Sequence, residues 1–200
     1  MTSSQNPDHI EQTPQNGHDM IEIRQLPRLT RADLQALPQL EGEEDPLHTD
    51  GVLDLASLFD IIIDVRRAEI LLLLDNRTAD NFYVGNACLL VGRDFNNLDY
   101  PYPHAQGPLG EPINSHWTIP YRSNLLFIAN MGVLQQWDFS FSATHIDFFA
   151  VEVPGLVDPL PSYGDPEDEV SEAFIEANMP RWTSKVNILG VSSRRHDEST

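Results

Sequence analysis

The chain has 200 residues, room for one ordinary domain with tails, and its single cysteine, Cys88, excludes any intramolecular disulfide. Thirty-one acidic residues against twelve basic ones give a net charge of -19, a field that repels phosphate and excludes nucleic acid from the expected partners. No apolar run approaches the roughly 20 residues needed to span a bilayer, and the N-terminus has no basic stretch followed by an apolar one, so neither a membrane span nor a signal peptide is expected.

Residues 1–20 are polar and rich in Ser, Gln, Asn and Pro, which predicts a disordered tail. From Met20 the pattern changes. Ile21, Ile23, Leu26, Leu29, Leu34, Leu37 and Leu40 are spaced between prolines, and Thr30 followed by Asp33 marks a capping-box start for one or two helical turns that Pro38 ends. A segment so apolar yet so broken lies on something, and two readings stand: an arm packed on its own domain, or an arm docked on a neighbouring subunit or partner. The docking reading makes Ile21, Ile23, Leu26, Leu29, Leu34 and Leu37 partner-binding residues, and it predicts that a chain lacking residues 1–45 keeps a folded β domain.

After the acidic patch Glu41–Asp45, a short helix is expected over Val52–Phe59, then a strand at Ile61–Val65 turned by Arg66-Arg67. The five aliphatic residues Ile70–Leu74 predict a strand buried on both faces. With the polar turn Asp75–Asn81 and an alternating run from Phe82, they form a hairpin ending near Val91. The stretch Arg93–Asn114, with four prolines, reads as a surface loop. Strands follow at His116–Ile119, Asn124–Ala129, Gln136–Ser142 and Thr144–Val153, with Trp137, Phe139, Phe141, Phe149 and Val151 directed to the core. Beyond Gly155 comes a Pro-rich acidic linker, a short helix from Glu167 to Asn178 with Phe174 on its apolar stripe, and a short strand at Lys185–Val191. The expected fold is all-β, an antiparallel β-sandwich of jelly-roll type, with an arm over residues 1–50, the sandwich over 51–155, and linker, helix and tail over 156–200.

No catalytic motif rises from this pattern. His104, His116, His145 and Asp147 are the residue types that would hold zinc, iron or manganese on a cupin-like sandwich, and His145 and Asp147 share one face of a strand. The paired His-x-His of cupins is absent, however, so the pair is expected to be solvated on the outer face of the last strand, with no metal and no cofactor. There is no Gly-x-Ser-x-Gly elbow and no phosphate-binding glycine loop. Tyr100 and Tyr102, in the Pro-rich loop, are the candidates for ligand binding and support an alternative reading as a carbohydrate-binding module. A metal-dependent enzyme is the remaining alternative.

The stretch Leu74–Asn86, Gly107-Pro108-Leu109, Trp117 and Arg122–Ala129 resembles small β-sandwich modules in virion structural proteins of bacteriophages, in which a strand ending in Asn is followed by a polar turn, a Tyr-Val-Gly strand, a Gly-containing loop and a final apolar strand. The resemblance covers about 60 residues and implies a non-enzymatic capsid, decoration or tail component. Its expected partners are copies of itself or other structural proteins, and its expected location is the virion or the cytoplasm. Phe174 joins the arm as a partner-binding candidate in that reading.

Overall fold

A computed structural model describes residues 20–49, 51–53, 56–77, 79, 81–95, 97–99, 113–114, 126–131, 137–156 and 177–195. Ten strands account for most of the regular structure: β1 (Ile21–Glu22), β2 (Ser57–Asp64), β3 (Glu69–Asp75), β4 (Ala87–Arg93), β5 (Asn97–Asp99), β6 (Ile113–Asn114), β7 (Leu126–Met131), β8 (Trp137–Ser142), β9 (His145–Glu152) and β10 (Lys185–Arg195). The single α-helix printed as an element is α1 (Arg31–Ala36), preceded by a 3-10 helix over Ile23–Arg28. The fold is all-β and antiparallel, as expected. Seven strands form one sheet in the order β1-β10-β9-β4-β3-β2-β6, and β5-β8-β7 form a second. No helix among the described residues is long and apolar enough to cross a membrane.

The sheet forms where the sequence is most apolar. Residues of β3 and β4 are inaccessible on both faces, because each pairs with a strand on either side and both faces are covered. Alternation then sorts the side chains into two layers. Ile70, Leu72, Leu74, Cys88, Leu90, Ile146, Phe148 and Ala150 face one cluster, joined by Phe141 and Ala143, while Leu71, Leu73, Ala87, Leu89, Val91, Phe149 and Val151 face the other.

The N-terminal segment covers the second face and then wraps the sheet edge. Ile23, Leu26 and Leu34 enter the second cluster. The chain next runs along β10, where Val191 N donates to Pro38 O at 2.9 Å and Leu40 N donates to Val191 O at 2.9 Å. Leu40 packs so tightly on Gly190 that a Cβ there would lie 2.4 Å from Leu40 Cδ2. Past that edge, Leu47, Val52 and Leu53 belong to the first cluster. Of the two readings of the arm, packing on its own domain is the one observed. Such wrapping also shields the backbone groups of β10 that would otherwise be an open edge.

Three expectations are corrected. Val52–Phe59 is not a helix: Val52 and Leu53 lie in a turn and Phe59 in β2, because a helix of two turns cannot compete with pairing along the leucine-rich β3. Phe82–Val84 is not a strand. Asn76 Nδ2 donates to the Val84 and Gly85 carbonyls, and Gly85 turns the chain at φ +73°, so the hairpin returns through Ala87–Arg93 instead. Phe82 stacks edge-on against Phe148, with ring centroids 5.7 Å apart, while Tyr83 points out at 83% exposure. Finally, β9 is not the last strand, since β10 pairs with it over nearly its whole length. The segments expected as arm and tail thus each give a strand to the large sheet.

Phe141, Phe149 and Val151 are core residues as expected, whereas the side chains of Trp137 and Phe139 lie outside the described residues. The strand expected at His116–Ile119 lies outside them too, as does the helix from Glu167 apart from its end at Ala177-Asn178.

Gly85 offers a sharp check on this geometry. A Cβ there would sit 2.3 Å from the Val151 carbonyl oxygen, in a backbone conformation that L-residues resist. Gly85→Ala should cost more than about 1 kcal/mol in urea unfolding, and a neutral result would contradict the placement of this turn.

Candidate functional site

An isolated charge on the inward face of an apolar strand must find partners, because leaving it unpaired in a dry interior costs several kcal/mol. Asp147 is such a residue in β9, at 0% exposure. Register explains how it is satisfied: Val91 and Ser193 lie opposite Asp147, Arg93 lies opposite His145, and Glu69 lies opposite Arg93. Four adjacent strands therefore bring Glu69, Arg93, His145, Asp147 and Ser193 together at one end of the face that the arm covers.

Within this cluster Asp147 Oδ1 accepts from Ser193 Oγ at 2.7 Å and lies 2.9 Å from His145 Nε2. Arg93 Nη1 donates to Oδ2. Burial alone would raise the Asp147 pKa, yet the hydrogen bonds from His145, Ser193 and Arg93 outweigh it and lower the value from 3.8 to about 2. Arg93 also reaches the arm, donating from Nη2 to Pro27 O at 3.0 Å, and Arg28 lies 3.6 Å from Glu69. Each of these contacts fastens the 3-10 segment onto the sheet.

Two more clusters work the same way. Asp45 is buried and accepts from Leu47 N at 2.9 Å and Ser192 Oγ at 2.9 Å, with His48 Nδ1 at 2.5 Å, while Arg194 donates to Leu47 O at 3.3 Å. This holds the segment after the arm against β10. Asp75 and Arg77 form a buried ion pair, and Arg77 Nη2 donates to Asn178 O at 2.7 Å. Trp182 Nε1 donates to Asp60 Oδ2 at 2.7 Å. The chain ahead of β10 is thereby held as well.

The sequence candidates fare unevenly. Ile23, Leu26 and Leu34 are buried in the chain's own second cluster, and Ile21, Leu29 and Leu37 pack partly buried against it. This corrects their expected role in gripping a neighbour, because side chains already enclosed by their own sheet have no apolar surface left to offer. Tyr100, Tyr102, Phe174, His104 and His116 lie outside the described residues. His145 and Asp147 do share a face, but they are enclosed beneath the arm instead of solvated. No group of three or more His, Cys, Asp or Glu suited to a metal ion occurs among the described residues. Cys88 is fully buried; burial, reinforced by the negative charge of Asp75, pushes its thiol pKa well up and suppresses the reactive thiolate.

Sequence reasoning missed Glu69, Arg93, Ser193, Asp45 and Ser192. The available signal was Asp147 itself, a lone acid inside His145–Glu152, which required a cation somewhere on the same face.

One open concavity remains, of about 660 Å3, between the Val153–Leu156 turn and the start of β10. Met20, Val153, Leu156 and Met179 give it apolar walls, and Arg181 and Lys185 line it too. Comparison with known protein families, with curated proteins and with solved structures found no match to this chain.

Proposed function

We propose that the protein is a non-enzymatic structural or interaction module, working in a homo-oligomer or larger assembly as a capsid, decoration or tail component of a virion. A jelly-roll-like sandwich is the architecture this reading implies. The observation that carries it is the use made of buried charge: Asp147, Asp45, Asp75, Glu69 and their basic partners tie the chain's own terminal segments to the sheet. A carboxylate already engaged by three donors is poorly placed to act as a base or to receive a ligand. Such investment in rigidity suits a building block.

With the arm enclosed, assembly contacts fall to what the surface still offers. Ile62 and Val65 are exposed, at 38% and 78%, at the end of β2. Beyond Leu58, no strand among the described residues pairs with the outer side of β2. Exposed apolar side chains beside an open sheet edge are a natural place for a second chain to pair. The negative field argues further for protein and against nucleic acid as the partner.

Light scattering over a concentration series is the test. The expected result is an oligomer, or a partner recovered from the native source, with Ile62→Glu/Val65→Glu shifting the mass toward monomer while leaving the unfolding midpoint nearly unchanged. A protein monomeric at every concentration that captures no partner would end the assembly reading.

A further inference from the structure

The concavity beside β10 differs in charge from the rest of the chain. Although the protein carries a net charge of -19, no acidic residue lines this groove, and two cations do, Arg181 and Lys185. They belong to a wider basic ribbon: residues 177–195 contain Arg181, Lys185, Arg194 and Arg195 and no acid. The carboxylate closest in register to Lys185 is that of Glu22, on the neighbouring strand. It is engaged by Arg24 instead, and among the described residues Lys185 makes no ion pair. Between the cations and the turn lies an adaptable apolar wall, in which the two thioethers of Met20 and Met179 can conform to varied side chains. The turn itself leaves space, since a Cβ on Gly155 would meet nothing within 4 Å.

We propose that this groove is the docking site for an acidic segment of a partner protein, whose carboxylates face Arg181 and Lys185 and whose apolar side chain lies against Met20, Met179 and Leu156. Charge complementarity selects the occupant: the remaining acidic surface repels such a segment, so the basic groove fixes both its place and its orientation. The site rests on the interaction-module reading above and specifies the chemistry of one partner.

Fluorescence anisotropy on the full chain tests it, using three dye-labelled nonapeptides that share the same Leu and Phe positions and differ in having Glu, Gln or Lys elsewhere. The Glu peptide should bind at least about tenfold more tightly than the Gln peptide, the equivalent of one favourable ion pair. The Lys peptide should not bind. Affinity should fall with added salt and drop at least about tenfold in Arg181→Glu/Lys185→Glu, while Lys185→Arg retains it. Equal binding of the Glu and Gln peptides, or none of either, overturns the site, as does a double charge reversal without effect. A chain in which a Gly-Ser linker replaces residues 157–176 decides the remaining case. If the Glu peptide binds only to that chain, the groove is occupied by the protein's own acidic segment and the partner proposal fails. Light scattering on the same samples reads assembly separately, so an oligomer that ignores the Glu peptide refutes this site and leaves the interaction reading standing.

Discussion

Removal of residues 1–45 is expected to abolish cooperative folding, contrary to what the segment's broken, arm-like sequence suggests. Ile23, Leu26, Leu34 and Leu40 are all buried in the chain's own core. At about 1.5–3 kcal/mol for each fully buried aliphatic side chain, their loss amounts to roughly 6–12 kcal/mol. A whole domain is stable by only about 5–15 kcal/mol. The deletion also bares the face carrying Leu71, Leu89, Val91 and Phe149 and removes Asp45, the acceptor for Ser192. Circular dichroism and urea unfolding of the truncated chain should show no cooperative transition. Single changes are milder, with Leu26→Ala expected to cost about 2–5 kcal/mol. A truncated chain that unfolds with the midpoint of the full one would refute the packing described above.

The second large effect is expected at Asp147. Asp147→Ala removes the main counter-charge of Arg93, whose side chain is only 18% exposed, and should cost about 3 kcal/mol. That is the lower end for a broken buried pair, because Glu69 stays 3.7 Å from Arg93. Replacing both partners, Asp147→Leu with Arg93→Met, should recover most of the loss, since it leaves no unpaired charge behind. The pH dependence has a definite sign. The folded pKa, about 2, lies below the ordinary 3.8, so the unfolded chain binds the proton more readily. The stability contributed by this group is present above pH 4 and is lost as the pH falls from about 4 toward 2, by on the order of 2 kcal/mol. Urea titrations across this range should show that loss in the natural chain and a flatter profile in Asp147→Asn. If the two profiles run parallel, Asp147 does not carry the acid sensitivity.

The parts of the fold that could be read from the sequence are those determined by near neighbours. The aliphatic run at Ile70–Leu74 could only be a strand buried on both faces, and it is the centre of β3. The capping box was equally local: Thr30 N donates to Asp33 Oδ2 at 2.7 Å and Asp33 N donates back to Thr30 Oγ1 at 3.3 Å. The destination of the arm was not readable, because leucines spaced for a partner and leucines spaced for the chain's own sheet look alike. Strand β10 was read short, since Ser192-Ser193-Arg194-Arg195 looks like a polar tail until Asp147, Asp45 and Leu47 are seen to receive those side chains. The charge clusters escaped for the same reason. Arg93 and Asp147 are 54 residues apart, and Asp45 and Ser192 are 147 apart, separations at which no pattern in the sequence links one member to the other.

Whether the N-terminal segment belongs to its own chain can be measured without altering the protein. Ile23 N donates to Ser184 O at 3.0 Å and Arg24 N donates to Trp182 O at 2.9 Å, so both amides are locked between arm and sheet. Amide hydrogen exchange at these two positions, followed over a hundredfold range of protein concentration, separates the possibilities. An arm folded on its own sheet gives strong protection that does not change with concentration. Protection that is weak in dilute solution and grows as the chains are concentrated would show that the arm is held by a neighbour, and would contradict the account.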